Sequence, residues 1–306
     1  TKRDKSGMIT MTTTTTMTTT TTMITTTTKP LYRLLLFVIL LAPFSVSAQS
    51  NKPRLLVRSD DMASSHAANV SCLEVATKGI SRSIEIMVPC PWFFEAAQML
   101  KQNPAIDVGV HLTLTSEWDG IKWGPITPSP SLADADGNFL AGTGEWYNKN
   151  YKMEEVEAEL RKQIELAKRE IPNVTHLSSH MGAPDVKPEL KNLVKKLAKE
   201  YNLIYETENV VYVPDFGWNK AQSFQEKESA FIEMLVNLKP GKTYLFVEHP
   251  ANESDEMKAV GNKTMLTVAR DRNWVTQVFT SPKVIKTIQE KGIELIDYTK
   301  VGVRGK

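Results

Sequence analysis

From residue 54 onward, short apolar runs alternate with longer stretches whose apolar residues recur at helical spacing. The runs are RLLVRSDD, SIEIMVPCP, DVGVHLTL, VTHLSSHMG, LIYETEN, TYLFVEHP and IELIDY. Between them lie AANVSCLEVATKG, PWFFEAAQMLKQN, MEEVEAELRKQIELAKREI, PELKNLVKKLAKEYN, a segment around ESAFIEMLVNLK, and SPKVIKTIQEKG. Seven strands separated by six helices predict an α/β fold of repeated βα units around a parallel sheet. A TIM-like (β/α)7 barrel in a single domain is the expected architecture. An open doubly wound sheet is the alternative, because alternation alone does not show closure. No internal repeat or long Gly/Ser linker divides this region. Residues 116–151 break the rhythm with an irregular stretch rich in Trp, Pro, Gly and Asp, and a long loop of this kind is usually functional or disordered. Its aromatics (Trp118, Trp123, Trp146, Tyr147) favour an ordered, functional loop.

The first 48 residues follow neither pattern. Residues 1–28 are dominated by threonine, a low-complexity composition that cannot build a core, and a disordered leader is expected there. Residues 29–48 have the layout of a secretory signal peptide: basic Lys29 and Arg33, an apolar run, then small residues with Val46 and Ala48 at the cleavage positions. The apolar run is well short of the ~20 residues that span a bilayer. A retained membrane anchor is the alternative. Export to a periplasmic or extracellular location is therefore expected, with residues 49–306 as the barrel domain and no stable membrane span after cleavage.

Charge then narrows the function. The whole chain carries 37 Lys+Arg against 35 Asp+Glu. Cleavage after Ala48 would remove five basic residues and one acidic one, leaving 32 against 34 over 258 residues. That near-neutrality argues against nucleic acid as a partner, which would call for a clustered basic face. Cys72 and Cys90 would meet an oxidising compartment after export. A disulfide and two buried thiols both stay open.

The polar residues at the strand ends carry the chemistry. Asp60 and Asp61 close the first run, His111 lies in the third, His180 closes the fourth and His249 closes the sixth. In a barrel the ends of parallel strands converge on one rim, which holds the active site. One carboxylate and two imidazoles, completed by water, suit a catalytic divalent ion. Such an ion assists hydrolysis of an amide or ester. A second carboxylate can then serve as base and a further histidine as acid. The alternative for the Asp pair is a helix cap. His176 is four residues before His180, ~13 Å away along an extended strand, too far to share an ion. His66, just after the Asp pair, caps a helix or contacts substrate.

The ordered set RSDD, VGVHLTL, THLSSH and EHP resembles the YdjC-like carbohydrate deacetylase family, which includes chitooligosaccharide deacetylases, over residues 54–298. The resemblance implies a (β/α) barrel with seven strands, one divalent metal ion (Mg2+ or Zn2+) and removal of N-acetyl groups from amino sugars. It places the base on Asp60 and a metal ligand on Asp61. It places the Gly-x-His-Leu histidine on His111, the Asp-Ser-His histidine on His180 and the His-Pro histidine on His249. On that reading Asp61, His111 and His180 bind the metal, and Asp60 and His249 are catalytic. The chain departs from the family pattern at Met62-Ala63 (for Phe-Gly), at Ser178 (for Asp), at Gly182 (for His), at Glu248 (for Cys) and at Arg58, a position usually small or amide.

The expected partner is thus an acetylated carbohydrate, with Arg58, Trp92, Trp118 and Trp123 as candidate substrate contacts. Trp146 and Trp218 also fall in predicted loops, and a homodimer stays open. A metal-dependent carbohydrate esterase or phosphoesterase on the same barrel competes with this reading. So does a carbohydrate-binding protein that has lost catalysis, although a pure binder has no need of both aspartates and three rim histidines.

Overall fold

The computed structural model describes residues 12–23, 51–217 and 221–304. The expected signal segment, most of the leader and Trp218 lie outside them. Residues 12–23 form no helix or strand and are exposed. No helix among the described residues is long and apolar enough to cross a membrane.

The unit that follows begins with β1 (Arg54–Met62), α1 (His66–Thr77), β2 (Ser83–Ile86), α2 (Phe93–Lys101) and β3 (Asp107–Leu112). After a long loop come α3 (Thr143–Asn148), α4 (Met153–Glu170), β4 (Val174–Ser179), α5 (Pro188–Tyr201), β5 (Ile204–Thr207) and β6 (Val210–Tyr212). The chain ends with α6 (Phe224–Asn237), β7 (Thr243–Glu248), α7 (Asp255–Lys258), α8 (Val268–Thr280), α9 (Pro282–Glu290), β8 (Glu294–Leu295) and β9 (Gly302–Arg304). Among the described residues, seven parallel strands run in the order β6-β7-β1-β2-β3-β4-β5, and β9 adds antiparallel to β5. The two-residue β8 pairs beside the start of β1.

The sheet curls into a nearly closed barrel. Leu56 of β1, Ile204 of β5 and Leu245 of β7 pack together inside it with Ile296 and Tyr298. Residues of β1 and β5, with three strands between them along the sheet, could not meet if the sheet stayed flat. Strand alternation explains the layering. Leu55 and Val57 face outward into a core shared with α6, α8 and α9, while Leu56 faces inward. On β2, β3 and β4 the outward positions are apolar (Ile84, Val108, Val110, Leu177), and the inward ones are polar (Glu85, His111, His176, Ser178). Gly109 makes room for this polar interior. A Cβ on it would lie 2.3 Å from Glu85 Oε2 and 2.3 Å from His176 Nε2.

The short α3, α7 and β9 were not among the expected elements, and three further differences have a readable cause. Helix α8 was not anticipated, because Asp271, Arg272 and Thr276 are buried and interrupt its apolar stripe of Val268, Val275, Val278 and Phe279. Strand β6 is only three residues long and follows Asn209 in a left-handed conformation (φ 56°), so its pattern is too short to read. The final run IELIDY supplies just two strand residues, and β6 takes the seventh parallel place.

Candidate active site

Two adjacent strand residues should point to opposite faces, yet Asp60 Oδ2 and Asp61 Oδ1 lie 3.5 and 3.7 Å from the same His111 Nε2. The backbone explains this. Pairing between β1 and β2 shifts register between Ser59 and Met62, and Asp61 adopts a left-handed conformation with φ 67°. A bulge of this kind re-aims a side chain at a strand end, and strained non-glycine residues cluster at functional sites. The pair is not a helix cap. Ser65 caps α1 by accepting from the Ala68 amide.

Asp60, Asp61, His111, His180 and His249 line one cavity of about 290 Å³ together with Glu117, Trp118 and Arg272. His111 and His180 meet edge to face, ring centroids 5.4 Å apart. Asp61 Oδ1 lies 3.9 Å from His180 Nε2, and Glu117 Oε2 lies 3.5 Å from that same nitrogen. Both carboxylate oxygens are buried with no hydrogen-bond partner. An orphaned buried carboxylate oxygen is costly, and here two of them face imidazole nitrogens across one space. Separations of 3.5–3.9 Å are long for hydrogen bonds. They resemble the spacing of donors around one small divalent ion, about 3–4 Å. Asp61, Glu117 and His180 thus form a buried acidic/histidine triad compatible with a metal, and His111 borders it through Asp61.

Partners outside the cavity orient each group. Arg272 donates to Asp61 Oδ2 at 2.7 Å, which leaves Oδ1 facing the histidines. Burial opposes charge on Asp61, but Arg272 and the three histidines outweigh it and hold the carboxyl well below the usual range. His180 Nδ1 is 3.0 Å from Thr115 Oγ1, so Nε2 faces the cavity. Burial disfavours its charge, yet Glu117 and Asp61 raise its pKa. Burial alone dominates at His111, whose pKa is pushed down to about 4. At His249 burial is again outweighed, here by Asp61 and Glu248, and the imidazole is held above its ordinary value.

The expected substrate contacts distribute unevenly. Trp118 lines the cavity and lies over the Arg272 guanidinium, 5.4 Å from it. Trp123 does not reach the cavity surface. It is buried edge-on against His180 and donates from Nε1 to the Thr115 carbonyl, so it holds His180 from behind. Arg58, expected near the substrate, has both ends engaged. It grips Asp60 with two 2.7 Å hydrogen bonds and donates to Tyr298 at 2.8 Å. Trp92 is partly exposed beside the His66 ring, outside the cavity lining. His66 itself pairs with Glu95. Trp146 is wholly buried, stacked on Tyr151. Cys72 and Cys90 are buried and form no disulfide.

Glu117 and Arg272 are the residues the sequence reading passed over. Glu117 follows the His111 strand by five residues, and a carboxylate that close to a rim histidine was a usable signal. Arg272 had none, since it sits within an unanticipated helix.

Comparison with known proteins places these features in a family. A carbohydrate deacetylase 2 of Listeria innocua is 25% identical over 256 residues, covering 80% of this chain and 97% of that protein. A carbohydrate deacetylase of Thermus thermophilus is 35% identical over 150 residues, covering 49% of this chain and 52% of its own. Among solved structures, an Enterococcus faecalis V583 protein described by cellobiose-phosphate cleavage superposes with a TM-score of 0.68 at 24% identity. That match covers 82% of this chain and 99% of the other, and it shows a shared fold. The model of the family described as YdjC-like protein matches residues 54–290, and the chain belongs to that family.

Proposed function

We propose that the protein is an exported, divalent-metal-dependent deacetylase that releases acetate from N-acetylated sugars or oligosaccharides. The observation that carries this reading is the pair of orphaned carboxylate oxygens, on Asp61 and Glu117, facing His180 in a buried cavity. Relatives named carbohydrate deacetylase supply the substrate class. Asp61, His180 and Glu117 would hold the ion, and His111, whose Nε2 is 3.7 Å from Asp61 Oδ1, would complete the set. A zinc- or magnesium-type ion supplies charge stabilisation for the acyl oxygen and makes water easier to deprotonate.

The chain's own residues would do the rest. Asp60 lines the cavity with its orientation fixed by Arg58, placed to accept a proton from water there. His249 lines it too and keeps Glu248 as a partner 3.7 Å away. With a cation beside Asp61, Glu248 and Asp60 continue to favour the imidazolium, which can give its proton to the leaving amine. A phosphoesterase is less well supported, because Arg272, the arginine lining the cavity, already pairs with Asp61. Support for export is the composition of residues 29–48.

The test is acetate release from N-acetylglucosamine oligomers by the purified protein after chelation and after re-addition of Zn2+ or Mg2+. Release that is lost with the chelator and restored by one ion is expected. Unchanged release in the chelated protein would overturn metal dependence. Release confined to O-acetylated xylan would replace the amide substrate with an ester. Export is checked by fractionating cells that express the full chain, and retention in the cytosol would remove it.

A further inference from the structure

The geometry points to a relay, Glu85–Ser178–His111, in which Glu85 and Ser178 are positioning residues that fix the hydrogen of His111 on Nδ1 and so present Nε2 to Asp61.

The hydrogen-bond arithmetic on β2, β3 and β4 is restrictive. Ser178 Oγ donates to Glu85 Oε2 and lies 2.7 Å from His111 Nδ1. A hydroxyl has one proton, and an ionised carboxylate can only accept. The Ser178 proton is therefore committed to Glu85, and Ser178 can only accept from His111. The hydrogen of the neutral imidazole then sits on Nδ1, which leaves a lone pair on Nε2. That lone pair faces Asp60 Oδ2 at 3.5 Å and Asp61 Oδ1 at 3.7 Å. A hydroxyl without such a carboxylate could turn its proton toward Nδ1, and the ring would adopt the opposite tautomer.

Glu85 can play this part because the barrel keeps it in place. It is fully buried, and its other oxygen is bonded to His176, whose ring stacks on Tyr298 at 3.8 Å. Burial of Glu85 works against its charge, but His176 and Arg58 compensate, and its pKa falls to about 2. Gly109 leaves the space in which Glu85 and His176 meet. The carboxylate that orients a ligating histidine commonly contacts the ring directly. Here it stands on β2, two strands from β4, and a serine on β4 spans the gap to the β3 histidine. The chain carries Ser178 where the family pattern has Asp, and the carboxylate behind this serine stands on β2.

The zinc arm of the test rests on the metal-site reading, whereas the tautomer arm does not. Histidine tautomers are read from ring 15N shifts and long-range 1H–15N correlations in the metal-free full chain, with His111→Gln assigning the signal. The wild-type His111 should show the Nδ1–H form. Ser178→Ala should shift His111 toward a mixture or the Nε2–H form and weaken Zn2+ binding about 10–100-fold in a chelator competition. Ser178→Thr, which keeps the hydroxyl, should retain both properties. An Nε2–H ring in the wild type overturns the relay without any variant having to fold. So does a folded Ser178→Ala protein with wild-type tautomer and wild-type zinc affinity. An Nδ1–H ring that responds to Ser178→Ala in a protein releasing no acetate supports the relay and counts against the deacetylase reading alone.

Discussion

The barrel holds two buried clusters of histidine and carboxylate, one above the other, and they are satisfied in opposite ways. In the lower one, His176 bonds Glu85 and Thr175, and Asp107 bonds Thr175 and the Tyr298 amide. Arg58 above them is paired with Asp60 and Tyr298. In the upper cluster, Asp61 Oδ1 and Glu117 Oε2 have no partner, and imidazole nitrogens stand 3.5–3.9 Å away. Residue composition would not tell these clusters apart. The difference lies in hydrogen-bond accounting: a closed network specifies the fold, and orphaned atoms around a cavity specify a place for something else.

The largest expected effect breaks the upper cluster. Asp61→Asn should reduce acetate release to background and abolish tight Zn2+ binding, because it removes the charge facing both histidines. Acetate release above a tenth of wild type would place the ion elsewhere. Next, Asp60→Asn and His249→Ala should each lower turnover about 10²–10⁴-fold while metal content stays at wild-type level. Near-normal kcat in either variant would remove that residue from proton transfer.

The lower cluster should respond in stability. Glu85→Gln removes the hydrogen-bonded counter-charge of the His176 imidazolium and leaves only Asp107, 3.7 Å away, and breaking such a buried pair costs about 3–5 kcal/mol in urea unfolding. The pH dependence sharpens this. His176 is raised above 6.5, because Glu85 and Asp107 outweigh burial, so its contribution is full below pH 6.5 and fades as pH rises through the folded value. Glu85 is lowered from 4.5 to about 2, so its contribution is full above pH 4.5 and is lost as pH falls toward 2. The stability gap between wild type and Glu85→Gln should therefore peak between pH 4.5 and 6.5. A gap that does not vary with pH would mean that the pair is not ionised.

The smallest expected effect belongs to Glu117→Gln. Its Oε2 makes no hydrogen bond, so the metal-free variant should unfold within about 1 kcal/mol of wild type while binding Zn2+ more weakly. A loss as large as that of Glu85→Gln would make the two clusters alike and remove the comparison.

Much of this arrangement was legible in the chain itself. The apolar runs ending on Asp60-Asp61, His180 and His249, and the one containing His111, determined which residues would reach one rim, because side chains at parallel strand ends of a barrel converge whatever their sequence separation. Periodicity alone left closure of the sheet undecided, and it concealed α8, whose buried Asp271 and Arg272 read as solvent-facing residues. Tertiary structure decided the rest. The bulge at Asp61 depends on pairing with β2, and the grip of Arg272 on Asp61 joins residues 211 positions apart. The sorting of two similar His/carboxylate clusters into scaffold and site depends on which polar atoms find partners in space. A one-dimensional pattern records which groups are present, and only the packed barrel settles which of them remain unsatisfied.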